Sequence, residues 1–196
     1  MATFVTDTIY SLGYAGIVML MVLENVFPPI PSEVIMPLAG FMVSQGKFSL
    51  IGIIAAGTAG SVLGALPFYY IGRCINEERL KALADRYGRW LTVSGNDIER
   101  SKAWFDKHGR TAIILGRLVP AVRSLISIPA GIARMNLAIF LIYTSVGTAL
   151  WTALLAFLGY YLGSNFGRVG EYVDRISWLV IAAIVLIYIV RVIRHK

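Results

Sequence analysis

Between Leu50 and Ile71, and again between Met135 and Gly163, no position is charged, and the apolar residues run on without the alternation of a half-buried strand. Each run reaches the roughly 20 residues that a helix needs to cross about 30 Å of hydrocarbon. The pattern predicts membrane-spanning helices over 50–71 and 135–163. A third apolar run, Ile176 to Val190, is shorter, but Arg175 precedes it and Arg191, Arg194 and Lys196 follow, with stems long enough to reach out of the hydrocarbon. It predicts a C-terminal span over 176–193.

Two further apolar stretches, 14–23 and 34–45, are too short to cross singly. Between them lies ENVFPPIPSE, Glu24 to Glu33, with both carboxylates and Pro28, Pro29 and Pro31. A polar, proline-rich turn inside an apolar run predicts a re-entrant hairpin over 14–45. The same shape returns over 111–134, where Arg117 and Arg123 bracket Pro120 between short apolar pieces. Irregular backbone at membrane depth is tolerated only where protein buries it or a wet cavity receives it.

Sliding the chain along itself by 91 residues pairs Pro29 with Pro120, Ile35 with Ile126, Ala39-Gly40 with Ala130-Gly131, and Leu63 with Leu154. The same offset pairs Tyr69-Tyr70-Ile71-Gly72 with Tyr160-Tyr161-Leu162-Gly163. This is the mark of a duplicated unit of hairpin plus span, repeat 1 over 14–72 and repeat 2 over 111–163. A unit that crosses once leaves its successor inverted, so one hairpin is expected to enter from each side, a plan that recurs in secondary transporters.

Composition agrees: hydrophobic residues are 57% of 196 and charged residues 15%, more apolar surface than a soluble domain of this length can hide. Of the Lys and Arg residues, nine lie in 73–110, three in the C-terminal tail, two in 164–175 beside Glu171 and Asp174, and only Lys47 in 1–72. The positive-inside rule therefore places the central loop and the C-terminus in the cytoplasm, and the net charge of +7 reflects topology rather than a nucleic-acid partner. The N-terminus carries no basic residue before an apolar run and no small-residue cleavage pattern, so it does not read as a cleaved signal. Within the central loop, 73–110, Leu80, Leu83, Tyr87, Trp90 and Leu91 fall at helical spacing, and Ser94 with Asp97 opens a second helix ending near His108 and Gly109. Two amphipathic helices on the cytoplasmic leaflet are expected, with Trp90 and Trp104 at the interface. Cys74 reads as an inert thiol, and neither His108 nor His195 has a second ligand at helical spacing.

Candidate chemistry rests on the intramembrane charges, which are costly there and default to function with a named partner. Arg117 and Arg123 present planar forks suited to a phosphate. Glu24 and Glu33 are candidates for proton coupling, because desolvation raises and a nearby cation lowers a buried carboxyl's affinity for protons. Ser32 and Ser124 mark half-helix starts whose amides could join an anion site, or are ordinary caps. The bland reading of the four charges is a pair of ion pairs pinning the hairpins together.

ENVFPPIPSE, the Y-Y-I-G-R of Tyr69 to Arg73, the G-R-x-x-P-x-x-R of Gly116 to Arg123, the A-G-x-x-x-M of Ala130 to Met135 and the G-x-x-x-W of Gly147 to Trp151 together resemble the DedA family, related to eukaryotic VTT-domain scramblases. The resemblance runs from about Gly13 to Gly163. It implies a bacterial inner-membrane protein with two facing re-entrant hairpins and a lipid-translocating activity. Its acidic residues match Glu24 and Glu33 and its arginines match Arg117 and Arg123. Family members are implicated in returning undecaprenyl phosphate to the cytoplasmic face, in moving phosphatidylethanolamine and in maintaining the proton-motive force.

The expected fold is therefore an all-α integral membrane protein in one domain over 1–196, an inverted repeat of re-entrant hairpin plus transmembrane helix, with a C-terminal span and cytoplasmic amphipathic helices. Pro28, Pro29, Pro31, Gly40, Gly72, Pro120, Gly131 and Gly163 are its structural motif. The expected function is transport of a lipid phosphate or phospholipid, with protons and membrane lipids as partners, no nucleic acid, no cofactor, no metal, and a homo-oligomer left open. An antiporter of small ions would need the carboxylates but has little use for phosphate-fitting arginines. An enzyme acting on a lipid phosphate lacks its parts, since there is no H-E-x-x-H, G-x-S-x-G or P-loop.

Overall fold

A computed structural model of the protein describes residues 2–26, 31–75, 78–79, 82, 95–119, 123 and 126–163. The C-terminal span predicted over 176–193, the amphipathic segment around Leu80 to Leu91, Pro28, Pro29, Pro120, Ser124 and the side chain of Trp104 lie outside the described residues.

Every regular element among the described residues is helical. In chain order they are α1 (Ala2–Leu12), α2 (Tyr14–Val26), α3 (Ser32–Ser44), α4 (Leu50–Cys74), α5 (Gly95–His108), α6 (Thr111–Arg117), α7 (Ser127–Ile132) and α8 (Leu137–Leu162). Two are long and apolar enough to cross a membrane, α4 with 25 residues and α8 with 26. At 1.5 Å per residue these are about 37 and 39 Å long.

The starts of both long helices have local causes. Ser49 caps α4, its Oγ accepting from the Gly52 amide at 3.0 Å. Asn136 caps α8, its Oδ1 accepting from the Ala138 amide at 2.9 Å, which is why the helix begins two residues inside the apolar run that opens at Met135. Gly13 ends α1 with φ +61°, and Gly109 ends α5 with φ +55°. Both lie in the left-handed region that a glycine enters without a Cβ clash.

The chain folds into two compact units. The first holds Met1–Ala65 and the described residues from Thr144 onward; the second holds Leu66–Tyr143. In the first, α1, α2 and α3 pack on one another and on the adjoining parts of α4 and α8. Its core includes Val5, Ile9, Ile17, Leu20, Met21, Val34, Ile35, Met36, Ala39, Met42, Ile53, Leu155 and Ala156. In the second, α5 packs on α6 and α7, and Tyr69 stacks on Phe140 with ring centroids 4.6 Å apart. Apolar side chains along both long helices nonetheless point outward: Ile51 is 82% exposed and Ile142 60%. Such faces suit a hydrocarbon solvent, not water.

α1 has no counterpart in the pattern of apolar positions. Its buried residues, Val5, Thr8 and Ile9, include a threonine whose hydroxyl bonds back to the Phe4 carbonyl at 2.8 Å, so only two aliphatic positions mark its inner face.

Candidate functional site

In the first unit the chemistry gathers at the start of α3. Pro31 is its N-cap residue, in an extended conformation that a proline ring allows. Pro31 has no side-chain oxygen to cap with, and the Glu24 carboxylate reaches across from α2 instead: its Oε1 accepts from the Ser32 amide at 2.7 Å. Glu24 is buried, 5% exposed, and Ser32 is fully buried. A helix N-terminus carries orphan amides and a partial positive charge, so a carboxylate is stabilised there. Glu33 stands in the first turn of the same helix, half-buried, and its buried Oε1 meets no hydrogen-bond donor among the described residues. Trp151 of α8 completes the cluster, its indole N–H donating to the Ser32 hydroxyl at 3.3 Å.

In the second unit Arg117 is the last residue of α6 and is 2% exposed. Its Nη2 donates to the hydroxyl of Ser127, the fully buried first residue of α7, at 2.8 Å. Its Nε meets no acceptor among the described residues. A buried guanidinium with a neutral hydroxyl for company keeps donors in hand for an anion. Arg123 lies half-buried in the segment between α6 and α7, with its amide bonded to the Val119 carbonyl at 3.0 Å.

The motif glycines are close-approach positions. A Cβ on Gly40 would collide with the Ala156 carbonyl and crowd the Tyr160 amide, both on α8. A Cβ on Gly131 would collide with the Tyr69 carbonyl and crowd the Arg73 amide, both on α4. The A-G of each repeat thus rests on the far end of the other repeat's span, at the Y-Y-x-G segment. Gly72 and Gly163 do the same from the opposite side, facing the Ile128 carbonyl and the Ser44 hydroxyl. Around Gly131 the seat is locked by Tyr69, whose hydroxyl donates to the Met135 carbonyl and accepts from Arg73 Nη1, the latter at 2.6 Å.

The structure therefore brings Glu24 together with Ser32, and Arg117 together with Ser127. Glu24, Ser32 and Glu33 belong to the first unit, Arg117 and Arg123 to the second. Ser127 and Trp151 were not singled out as site residues from sequence. A signal for Ser127 existed, since it lies two residues before Pro129 of the P-A-G in α7.

The VTT-domain family model matches residues 30–161, which takes in α3, both long helices and everything between them. The chain belongs to the VTT-domain, or DedA, family. It is 42% identical over 190 residues to a protein of Lactococcus lactis subsp. cremoris called alkaline phosphatase-like protein, covering 96% of this chain and 89% of the relative. It is 38% identical over 199 residues to undecaprenyl phosphate transporter A of Staphylococcus aureus, covering 100% of this chain and 98% of the relative. A transporter of the same name from Bacillus subtilis is 36% identical over 185 residues, covering 92% and 89%. No solved structure matches. As a member of the VTT-domain family the chain is a membrane protein, and the outward apolar faces of α4 and α8 suit that setting.

Proposed function

We propose that this protein carries a lipid phosphate of the undecaprenyl phosphate kind between the leaflets of a bacterial membrane. Two relatives that align over nearly the whole chain bear the name undecaprenyl phosphate transporter A. The observation that carries the reading onto this chain's own residues is Arg117, a buried guanidinium held at one nitrogen by Ser127. A charge at bilayer depth whose one side-chain partner among the described residues is a neutral hydroxyl is poorly explained as a stability device. As a preorganised donor for a phosphate it is well explained, with Arg123 as second fork.

In this reading 14–45 and 111–134 are the re-entrant hairpins of an inverted repeat, and Glu24 and Glu33 couple transport to protons. Phosphate binding and carboxyl protonation are then linked, each favouring the other by one shared coupling free energy. Purified protein in liposomes with a labelled polyprenyl phosphate tests the proposal. Movement of intact lipid between leaflets, faster under a proton gradient, is the expected result. Release of inorganic phosphate would instead favour an enzyme, and proton-linked ion flux without lipid movement would favour an antiporter.

A further inference from the structure

Along α8, Thr144, Thr148 and Thr152 recur every fourth residue, and all three are buried, in a helix that turns many of its apolar side chains outward. With 3.6 residues per turn they and Trp151 fall within one arc of about 100°. From Thr144 to Thr152 this column runs about 12 Å along the helix. At its Thr152 end, the hydroxyl pairs with that of Thr58 on α4 at 3.3 Å, and the buried Ser61 lies one turn further along α4. Trp151, on the same arc, donates to Ser32, whose amide is held by Glu24.

A threonine inside a helix normally returns its hydroxyl to the carbonyl one turn back. Thr152 does so, to Ala149 at 3.2 Å. Thr144 and Thr148 do not: both hydroxyl oxygens are buried and meet no hydrogen-bond partner among the described residues. At membrane depth such a group must be satisfied, and two of them one turn apart supply the polar partners that a buried water requires. Among the described residues of this unit the charged ones are Asp7, Glu24, Glu33 and Lys47, and Lys47 sits in the turn before α4 over the Tyr10 ring. Glu24 of α2 and Glu33 of α3 are thus the titratable groups at the α3 start that the Trp151 side of the column adjoins.

We propose that Thr144, Thr148 and Thr152, with Thr58, form an internal water site that conducts protons to the carboxylates at the start of α3. Its ligand is water and hydronium. A hydronium arriving beside Glu24 or Glu33 gives its proton to the carboxylate oxygen, leaving a neutral carboxyl and a water. The inference rests on the reading of those carboxylates as proton acceptors in transport.

The test uses the full-length protein in phosphatidylcholine and phosphatidylglycerol liposomes loaded with a pH-sensitive dye. Thr144→Val and Thr148→Val keep the side-chain shape and remove the hydroxyl; Thr→Ser at each position keeps the hydroxyl. Proton entry should fall by about tenfold or more in the double Val variant, as expected when a hydrogen-bonded link in a low-dielectric path is lost, and should persist in the Ser variants. Hydroxyl-radical footprinting gives a readout independent of transport: radiolysis of trapped water should oxidise Trp151 in the native protein and spare it in the double Val variant. Equal proton entry and equal Trp151 oxidation in native and Val forms would overturn the proposal, as would Ser variants that fail like Val. Threonine-dependent proton entry without lipid movement would uphold this inference and sink the lipid carrier, whereas lipid movement with no protein-dependent proton entry would do the reverse.

Discussion

At the scale of single residues, the first carboxylate of ENVFPPIPSE has one observed role and one proposed role. Glu24 caps α3 in place of a proline that cannot, and the same position makes it a candidate proton acceptor. The two roles separate by substitution. Glu24→Gln keeps an oxygen for the Ser32 amide and loses only the charge at the helix start, a cost of about 0.3–1 kcal/mol. Glu24→Ala loses the bond as well, about 1 kcal/mol more. Thermal unfolding in detergent should rank wild type, Gln, Ala in that order, while gradient-driven lipid transport should fail in Gln and Ala alike. Gln variants that keep gradient-driven turnover would leave Glu24 as a cap alone. At Arg117 the discriminating change is to Lys, which retains charge and discards the fork: transport should drop about tenfold or more, since paired charge-assisted bonds become one. A lysine variant near wild-type rate would favour a plain charge-balancing role. Arg134 is a different kind of position. It has φ +50° in the turn after α7, where the Met135 amide bonds the Ala130 carbonyl. The turn after α3 makes the matching bond, Lys47 to Met42, and there Gly46 takes the left-handed place with φ +74°. Arg134→Gly relieves a side chain of a conformation costing about 1–2 kcal/mol, so the melting temperature should rise by several degrees. A fall would mean that the guanidinium anchors the turn by more than the strain it bears.

At the scale of elements, the sequence announced the two long helices plainly, because about 25 residues without a charge have few other uses. It also revealed the Ala-Gly and Tyr-Tyr-x-Gly steps of both repeats. What periodicity could not reveal is that these steps meet crosswise, since an internal repeat says which segments are alike and nothing about which of them touch. α7 illustrates a second limit. Its six residues, SIPAGI, contain a proline and a glycine and have little helical propensity of their own. They are helical because Gly131 sits on the α4 backbone and Ser127 holds Arg117. α1 was illegible for the opposite reason, too few apolar positions on its inner face. The crosswise seats make a paired prediction. Gly40→Ala and Gly131→Ala drive a methyl into backbone that cannot yield, so each should lower stability by about 1–3 kcal/mol or prevent folding. Gly46→Ala, whose Cβ meets nothing, should show only the smaller cost of its positive φ. Equal melting temperatures for all three would mean that the seats are looser than the backbone distances imply.

At the scale of the whole molecule, the asymmetry of basic residues predicts an orientation for the chain, and the single cysteine offers a native probe. Cys74 is exposed at the end of α4, and Gln45 is exposed in the turn before it. An impermeant thiol reagent applied to intact cells should leave Cys74 unmodified and should label a Gln45→Cys variant in which Cys74 is serine. Labelling of Cys74 from outside would reverse the orientation. The crosswise seating of the glycines carries a consequence for the protein's ancestry. A lone copy of the repeat owns an Ala-Gly step and a Tyr-Tyr-x-Gly ledge but cannot seat one on the other in this way, so it would find its complement only in a second copy. If the repeat arose by duplication, a functional assembly on this plan would before it have been a pair of identical short chains, each completing the other. The present chain should retain that dependence: cut in the connector between α4 and α5, its two halves should accumulate and co-purify only when produced together, and neither should persist alone.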